Sequence, residues 1–296
     1  MIGLLGLGIM GSAISRNLMA AGFGVAGFDV SPERLAAFAA AGGTKTATPA
    51  DLALHADIII SVLPSVSALD DVILGSDGLL AAGRTGLVLV EASTLPIEDK
   101  QRLRAAALPA LTLLDCPLSG TGAQAVTKDL VVYASGDTAA ISRCVPLFEG
   151  FARAHHDLGA FGNGSKMKFI ANLLVSIHNV AAAEAFVLGM KAGLDPQAIY
   201  RVVGDGAGGS RMFTVRGPQM IDDVYEPATM KVETWQKDMK IISEFATGLD
   251  CPTPLLDACA SLYTAAMAQG RGAQDTAAVC AVLSEMARLV RPARSP

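Results

Sequence analysis

Lys168 and Asn172 stand four residues apart at the end of the stretch Gly159-Ala160-Phe161-Gly162-Asn163-Gly164-Ser165-Lys166-Met167-Lys168-Phe169-Ile170-Ala171-Asn172. On a helix that spacing sets an ammonium and a carboxamide on one face, one turn apart. A partly buried ammonium can give up its proton and serve as a general base, or donate a proton in the reverse direction. A carboxamide offers both a donor and an acceptor for orienting a polar ligand. Phe169, Ile170, Leu173 and Leu174 follow closely, so the helix is expected to be buried rather than the solvated face on which most lysines sit.

A second chemical stretch lies at the N-terminus. Met1 to Leu5 is a short apolar run that ends in Gly6-Leu7-Gly8-Ile9-Met10-Gly11, and a helical spacing of Ile14, Leu18 and Ala21 follows. In a G-x-G-x-x-G turn the first glycine permits the tight bend, the second admits a pyrophosphate to the backbone, and the third lets helix pack on strand. The free N–H groups of the helix then face the phosphates. Val25 to Phe28 reads as the next strand and ends at Asp29, the acidic position that the ribose hydroxyls of NAD require. A carboxylate there repels a 2′-phosphate, and the nearest arginine, Arg34, stands a helical turn away, so NAD is favoured over NADP. Capping of the following helix falls to Ser31, ahead of Pro32.

The elements that position these residues alternate. Strands are expected at Asp57 to Leu63, Leu87 to Val90, Leu111 to Leu114, Leu130 to Ala134 and Arg153 to Leu158, with helices between them. That alternation predicts an α/β Rossmann domain, a doubly wound and mostly parallel sheet, over residues 1–162. Leu63-Pro64, Ser93-Thr94 and Ser119-Gly120-Thr121 all fall at carboxyl ends of strands, where ligands of such sheets bind. From Lys166 the strands stop. Phe169 to Met190, Pro196 to Val203, Ala228 to Thr247, Pro254 to Gln269 and Asp275 to Val290 read as helices, giving an all-α domain over 163–296 joined through the long helix. Lys168 and Asn172 would then sit at the seam of the two domains, a common location for ligand sites.

Bulk composition narrows the class. The chain has 296 residues, 51% apolar and 17% charged, with 23 basic against 28 acidic residues and a net charge of −5. No basic run suggests a nucleic-acid footprint. The five cysteines form no C-x-x-C pair, so reduced, mostly buried thiols are expected, with no disulfide frame and no metal site. A strand beginning at Ile2 is expected to leave no room for a targeting peptide. Asn172, Ser176, His178, Asn179 and Glu184 interrupt the long helix, which reads as buried in protein and not as a membrane span. A cytoplasmic protein is expected.

Four motifs together resemble the β-hydroxyacid dehydrogenases, the group of 3-hydroxyisobutyrate dehydrogenase and tartronate semialdehyde reductase. Gly6-Leu7-Gly8-Ile9-Met10-Gly11 with Asn17-Leu18 resembles the family's opening G-L-G-x-M-G…N-L. Asp115-Cys116-Pro117-Leu118-Ser119-Gly120 resembles its substrate loop D-x-P-V-S-G-G, Gly159 to Asn172 its G-x-x-G-x-G-x-x-x-K-x-x-x-N stretch, and Lys237-Asp238-Met239 its K-D-L. The resemblance implies Lys168 as the catalytic lysine with Asn172 beside it. It implies Ser119, Gly120 and Thr121 as holders of a substrate carboxylate, through loop N–H groups and the Ser119 hydroxyl. Leu63, Pro64 and Thr94 would contact the nicotinamide half of the cofactor, and Lys237 would close over it. The implied reaction is hydride transfer between NAD and a small β-hydroxy acid or its semialdehyde, in a homodimer or homotetramer.

The chain departs from the family pattern at Thr121, Gln124, Lys128-Asp129 and Ala171, mostly beside the substrate loop, which concerns the substrate rather than the reaction type. The alternatives are an imine reductase of the same fold, against which Lys168 counts, and a non-catalytic NAD-binding module. Arg211, Trp235 and Lys231 are further residues that could line a pocket from the helical half, whereas His178 is expected as a core or interface histidine.

Overall fold

The computed structural model describes residues 1–291. Its backbone divides into two compact units, Met1–Lys168 and the chain from Phe169 onward.

The first unit is built on six parallel strands: β1 (Ile2–Leu5), β2 (Val25–Phe28), β3 (Thr44–Lys45), β4 (Ile58–Ser61), β5 (Leu87–Glu91) and β6 (Leu111–Asp115). Their order is β3-β2-β1-β4-β5-β6, the doubly wound arrangement. The connecting helices are α1 (Ile9–Ala20), α2 (Pro32–Ala40), α3 (Pro49–His55), α4 (Val66–Leu74) and α5 (Ile97–Ala107). Side chains of a strand alternate between faces, and both faces here are apolar. Leu4, Val88 and Val90 join a core with Ile14, Leu18, Phe148 and Phe151. Leu5, Leu87 and Leu89 join the opposite core with Leu52, Ile59, Leu69 and Leu103. The strand order reverses between β1 and β4, so the glycine turn after β1 and Leu63 after β4 flank the switch point.

The expected strands near 130–134 and 153–158 form, but not in that sheet. β7 (Leu118–Ser119), β8 (Val131–Ala134) and β9 (Ala154–Asp157) make a separate mixed sheet, with β7 antiparallel to β8 and β8 parallel to β9. A bridge between Asp115 and Ser135 links it to the end of β6. Between these strands lie α6 (Gly122–Val126) and α7 (Thr138–Phe151).

The second unit is helical. α8 (Asn163–Lys191) begins six residues before the expected start, so Lys168 lies inside its second turn; the division between the units falls within it. α9 (Pro196–Asp205), α10 (Arg211–Asp222), α11 (Val232–Thr247), α12 (Pro254–Ala268) and α13 (Val279–Met286) follow. α10 was not expected from the sequence because Gly217 and Pro218 lie inside it. Ser210 caps it, accepting from the Phe213 N–H at 3.1 Å, and a Cβ at Gly217 would collide with the Tyr200 ring of α9. The final expected helix is split into a 3₁₀ turn at Thr276–Ala278 and α13.

α8 is long and apolar enough to cross a membrane by length and composition. Three of its polar residues, Asn172, Ser176 and Asn179, are nevertheless buried and paired within the protein. Asn172 Nδ2 donates to Asp238 Oδ2 at 3.1 Å, Ser176 Oγ to the Asn172 carbonyl at 3.0 Å, and Asn179 Nδ2 to Tyr263 Oη at 2.8 Å. Such pairing satisfies a protein interior.

The five cysteines are unpaired, four of them buried and Cys251 exposed. Burial pushes the Cys144 and Cys259 thiols up to about 11, which keeps them protonated near neutrality. Titration of the native protein with a disulfide reagent near pH 8 should therefore label one thiol rapidly, Cys251, and all five only after denaturation.

Candidate active site

The nucleotide turn follows β1. Gly6 has φ +89°, and a Cβ there would overlap the Val62 carbonyl oxygen. A Cβ at Gly11 would overlap the carbonyl oxygen of Gly6. The first and third glycines are thus demanded by the packing of the chain itself. Gly8 differs, because a Cβ there would meet nothing within 4 Å. The space beside Gly8 is what a pyrophosphate needs, and the twelve-residue α1, with no side-chain cap at Gly8, presents its first N–H groups there. The residues fit a dinucleotide.

Asp29, at the end of β2, is buried. Its Oδ2 accepts from the Leu7 N–H at 2.7 Å and its Oδ1 from the Ser31 N–H at 2.8 Å. Arg34 approaches it, Nη1 to Oδ2 3.5 Å, and Ser31 caps α2 as expected. Asp29 therefore fixes the glycine turn through the Leu7 amide.

At the rim of the sheet the loops after β4 and β5 are tied together. The Leu63 N–H donates to Ser93 Oγ at 2.8 Å, and the Ser93 N–H donates to Glu91 Oε1 at 2.9 Å. Thr94 is half-buried and Pro64 exposed.

Beneath this rim lies a group the sequence did not single out. Lys100, on α5, is fully buried. Its Nζ donates to the Ser93 carbonyl at 2.7 Å and to Asp115 Oδ1 at 2.9 Å, and lies 2.5 Å from Glu91 Oε2. Burial alone would lower the lysine pKa, but the attraction of Asp115 and Glu91 outweighs it and holds the ammonium above the usual lysine value. Asp115 extends the cluster into α8. Its Oδ2 accepts from the Ser165 N–H at 2.8 Å and its Oδ1 from Ser165 Oγ at 2.7 Å. The Gly164 N–H donates to Ser135 Oγ at 2.9 Å. A Cβ at Gly164 would strike the carbonyl oxygens of Tyr133 and Asp115, which explains the glycine. Lys168 follows three residues later, 9% exposed, and Asn172 one turn beyond it on α8, 3% exposed.

Ser119 ends β7, Gly120 has φ +136°, and Thr121 leads into α6. Three of the departures from the family pattern, Thr121, Gln124 and Asp129, form one connected chain here. The Thr121 N–H donates to Gln124 Oε1 at 3.0 Å, Gln124 Nε2 donates to Asp129 Oδ2 at 3.0 Å, and Arg153 Nε donates to Asp129 Oδ1 at 2.9 Å. The Thr121 N–H is thus committed within the loop, where Thr121 and Gln124 form a capping box at the start of α6.

In the second unit Asn172 meets Asp238, whose Oδ1 lies 3.7 Å from Lys237 Nζ. Asp238 is a polar partner that sequence reading had placed in a motif without a role. Trp235 is buried, and its indole nitrogen has no partner. Lys231 is exposed and pairs with Glu233 at 3.2 Å; Arg211 begins α10. His178 is half-buried on α8. Among the described residues no group of His, Cys, Asp and Glu is placed to hold a metal.

Comparison with known proteins extends these findings. Residues 1–162 match a family model described as the NAD-binding domain of 6-phosphogluconate dehydrogenase. Residues 162–283 match one described as the NAD-binding domain of NADP-dependent 3-hydroxyisobutyrate dehydrogenase. An L-threonate dehydrogenase of Cupriavidus necator is 35% identical over 94% of this chain and 94% of its own. A 3-sulfolactaldehyde reductase of Escherichia coli is 30% identical over the same shares of both chains. The crystal structure of a 3-hydroxyisobutyrate dehydrogenase from Salmonella typhimurium superposes with a TM-score of 0.86 at 30% identity, covering 95% of this chain and 99% of that one.

The buried cluster makes a definite prediction about stability. A folded lysine pKa above the unfolded value means that the contribution of the cation is complete below the unfolded pKa and is lost only as pH rises through the folded one, so it is intact at neutrality. Lys100→Met leaves two buried carboxylates without their cation and should cost about 3–5 kcal/mol, read by urea titration of ligand-free protein near neutral pH.

Proposed function

The chain belongs to the β-hydroxyacid dehydrogenase family, and from that premise we propose that it oxidises a small β-hydroxy acid, or reduces the matching semialdehyde, with Lys168 as general acid and base. The observation that carries this assignment is the setting of Lys168. It is a buried lysine one helical turn from a buried asparagine, on a helix whose first residues are bonded to the end of β6. When bound, the nicotinamide supplies the hydride acceptor. Lys168 Nζ takes the proton of the substrate hydroxyl as the carbon gives up its hydride and the C=O bond forms; in reduction the same Nζ returns the proton to the aldehyde oxygen. Asn172, held by Asp238, orients the reacting oxygen.

The substrate carboxylate is held by Ser119, Gly120 and Thr121, where the Thr121 N–H is shared with Gln124 within the loop. Gly6 to Gly11 and Asp29 hold the pyrophosphate and ribose, Leu63, Pro64 and Thr94 the nicotinamide half, and Lys237 is assigned to cofactor binding by its K-D-L-like motif. NAD is preferred over NADP because Asp29 occupies the ribose position, although Arg34 beside it tempers that preference. Residues 1–162 serve as the cofactor domain and 163–296 as the substrate and oligomerisation domain. The working form is a cytoplasmic homodimer or homotetramer that engages neither nucleic acid nor membrane.

The test is initial rates of NAD and NADP reduction over a panel of hydroxy acids. L-threonate comes first because a relative is named for it, followed by 3-hydroxyisobutyrate and glycerate. One acid should reduce NAD, and Lys168→Ala should lower kcat by roughly a thousandfold. Turnover of cyclic imines alone, or tight NAD binding with no turnover of any acid, would contradict the assignment. A second expectation isolates the cofactor turn. Gly8→Ala should leave the melting temperature of the ligand-free protein unchanged while weakening NAD binding, whereas Gly11→Ala should destabilise the protein itself, as calorimetry of both would read.

A further inference from the structure

The buried cluster joins residues to which the proposed reaction gives different partners. Ser93 stands between Leu63, which donates to its hydroxyl, and Thr94, its neighbour in the chain; both belong to the loops assigned to the nicotinamide. The Ser93 carbonyl accepts from Lys100, and the Ser93 N–H is held by Glu91. Lys100 in turn reaches Asp115, and Ser165 Oγ lies 3.2 Å from the same ammonium. Ser165 gives Asp115 both its N–H and its hydroxyl, and Lys168 is three residues further along the same helix. An ammonium has three protons, and the three nearest oxygens belong to Ser93, Glu91 and Asp115.

We infer that the buried Lys100–Asp115–Ser165 chain is a positioning device for the reaction: Lys100 and Ser165 lock the first turn of α8, and with it Lys168, to the loops that face the nicotinamide.

A merely structural cluster needs no such connectivity, since a buried lysine and its two carboxylates would be satisfied without engaging α8. Here Asp115 spends both oxygens on Ser165 as well as one on Lys100. Connected polar networks in a low-dielectric interior rigidify the elements they join. Proton transfer depends steeply on geometry, and a displacement of about 1 Å can cost on the order of a hundredfold in rate. Ser165 itself is buried, 1% exposed, and is a positioning residue rather than one that touches substrate.

This inference rests on the assignment of Lys168 to proton transfer, and the experiment separates the two. Wild type, Ser165→Ala, Ser165→Thr, Lys100→Met and Lys168→Ala are compared with NAD and the acid that is turned over, recording kcat and KM across pH, NAD affinity by titration, and melting temperature. Phe151→Leu, a core change at a residue that is not part of the cluster, serves as the destabilised control. Ser165→Ala should lower kcat by about tenfold or more while KM and NAD affinity stay within about twofold. It should also displace the pH limb of kcat, and Ser165→Thr, which restores a hydroxyl, should recover most of the rate. Phe151→Leu should lose melting temperature without moving that limb. If Lys100→Met does not fold, the serine pair still decides. Wild-type kcat and pH profile in Ser165→Ala, with Lys168→Ala inactive, would overturn the positioning inference alone. So would a fall in kcat that tracks melting temperature and NAD affinity as Phe151→Leu does. Full activity in Lys168→Ala would overturn the assignment of the lysine and the inference with it.

Discussion

The structure of the first unit depends on one buried cation. Lys100 has no exposed surface, and desolvating an ammonium costs several kcal/mol unless its partners repay it. Two carboxylates do so, Glu91 at the end of β5 and Asp115 at the end of β6. Neither could be buried there without the lysine. The cluster sits beneath the carboxyl ends of adjacent parallel strands, the edge of a doubly wound sheet at which ligands bind. Its cost is repaid in order: the loops after β4 and β5 and the beginning of α8 are all bonded into it.

The nucleotide half of the site was legible because its signals are local. Gly6, Gly8 and Gly11 follow a strand and open a helix, Asp29 ends the next strand, and each feature lies within a few residues of the element that explains it. The Gly159–Asn172 stretch was legible for the same reason. Lys100 was not. It lies in Ile97-Glu98-Asp99-Lys100-Gln101-Arg102, which reads as an ordinary polar helix face. Its partners are nine and fifteen positions away, and only the parallel pairing of β5 with β6 brings them together. The available signal was two carboxylates, Glu91 and Asp115, each closing an apolar strand that should be buried.

Other differences have equally specific causes. β3 has two residues, too few for periodicity to show, and α10 carries a glycine and a proline that punctuate sequence without ending the helix. β8 and β9 were expected in the main sheet because alternation does not say which sheet a strand joins; the Asp115–Ser135 bridge and the antiparallel β7 decide it. Three of the residues that depart from the family pattern, Thr121, Gln124 and Asp129, are one hydrogen-bonded unit with Arg153, a connection that only the folded loop makes. Asp29 likewise has a role the motif does not show: it holds the Leu7 amide of the glycine turn.

The bonds of Gly164 and Ser165 hold the first turn of α8 in place without a ligand. Amide hydrogen exchange of the ligand-free protein tests this directly at Gly164 and Ser165, whose N–H groups donate to Ser135 Oγ and Asp115 Oδ2 rather than to helix carbonyls. These two amides should be protected comparably to those of β5, with release of Ser165 in Lys100→Met. Exchange of both at the rate of an open loop in the wild-type protein would contradict it.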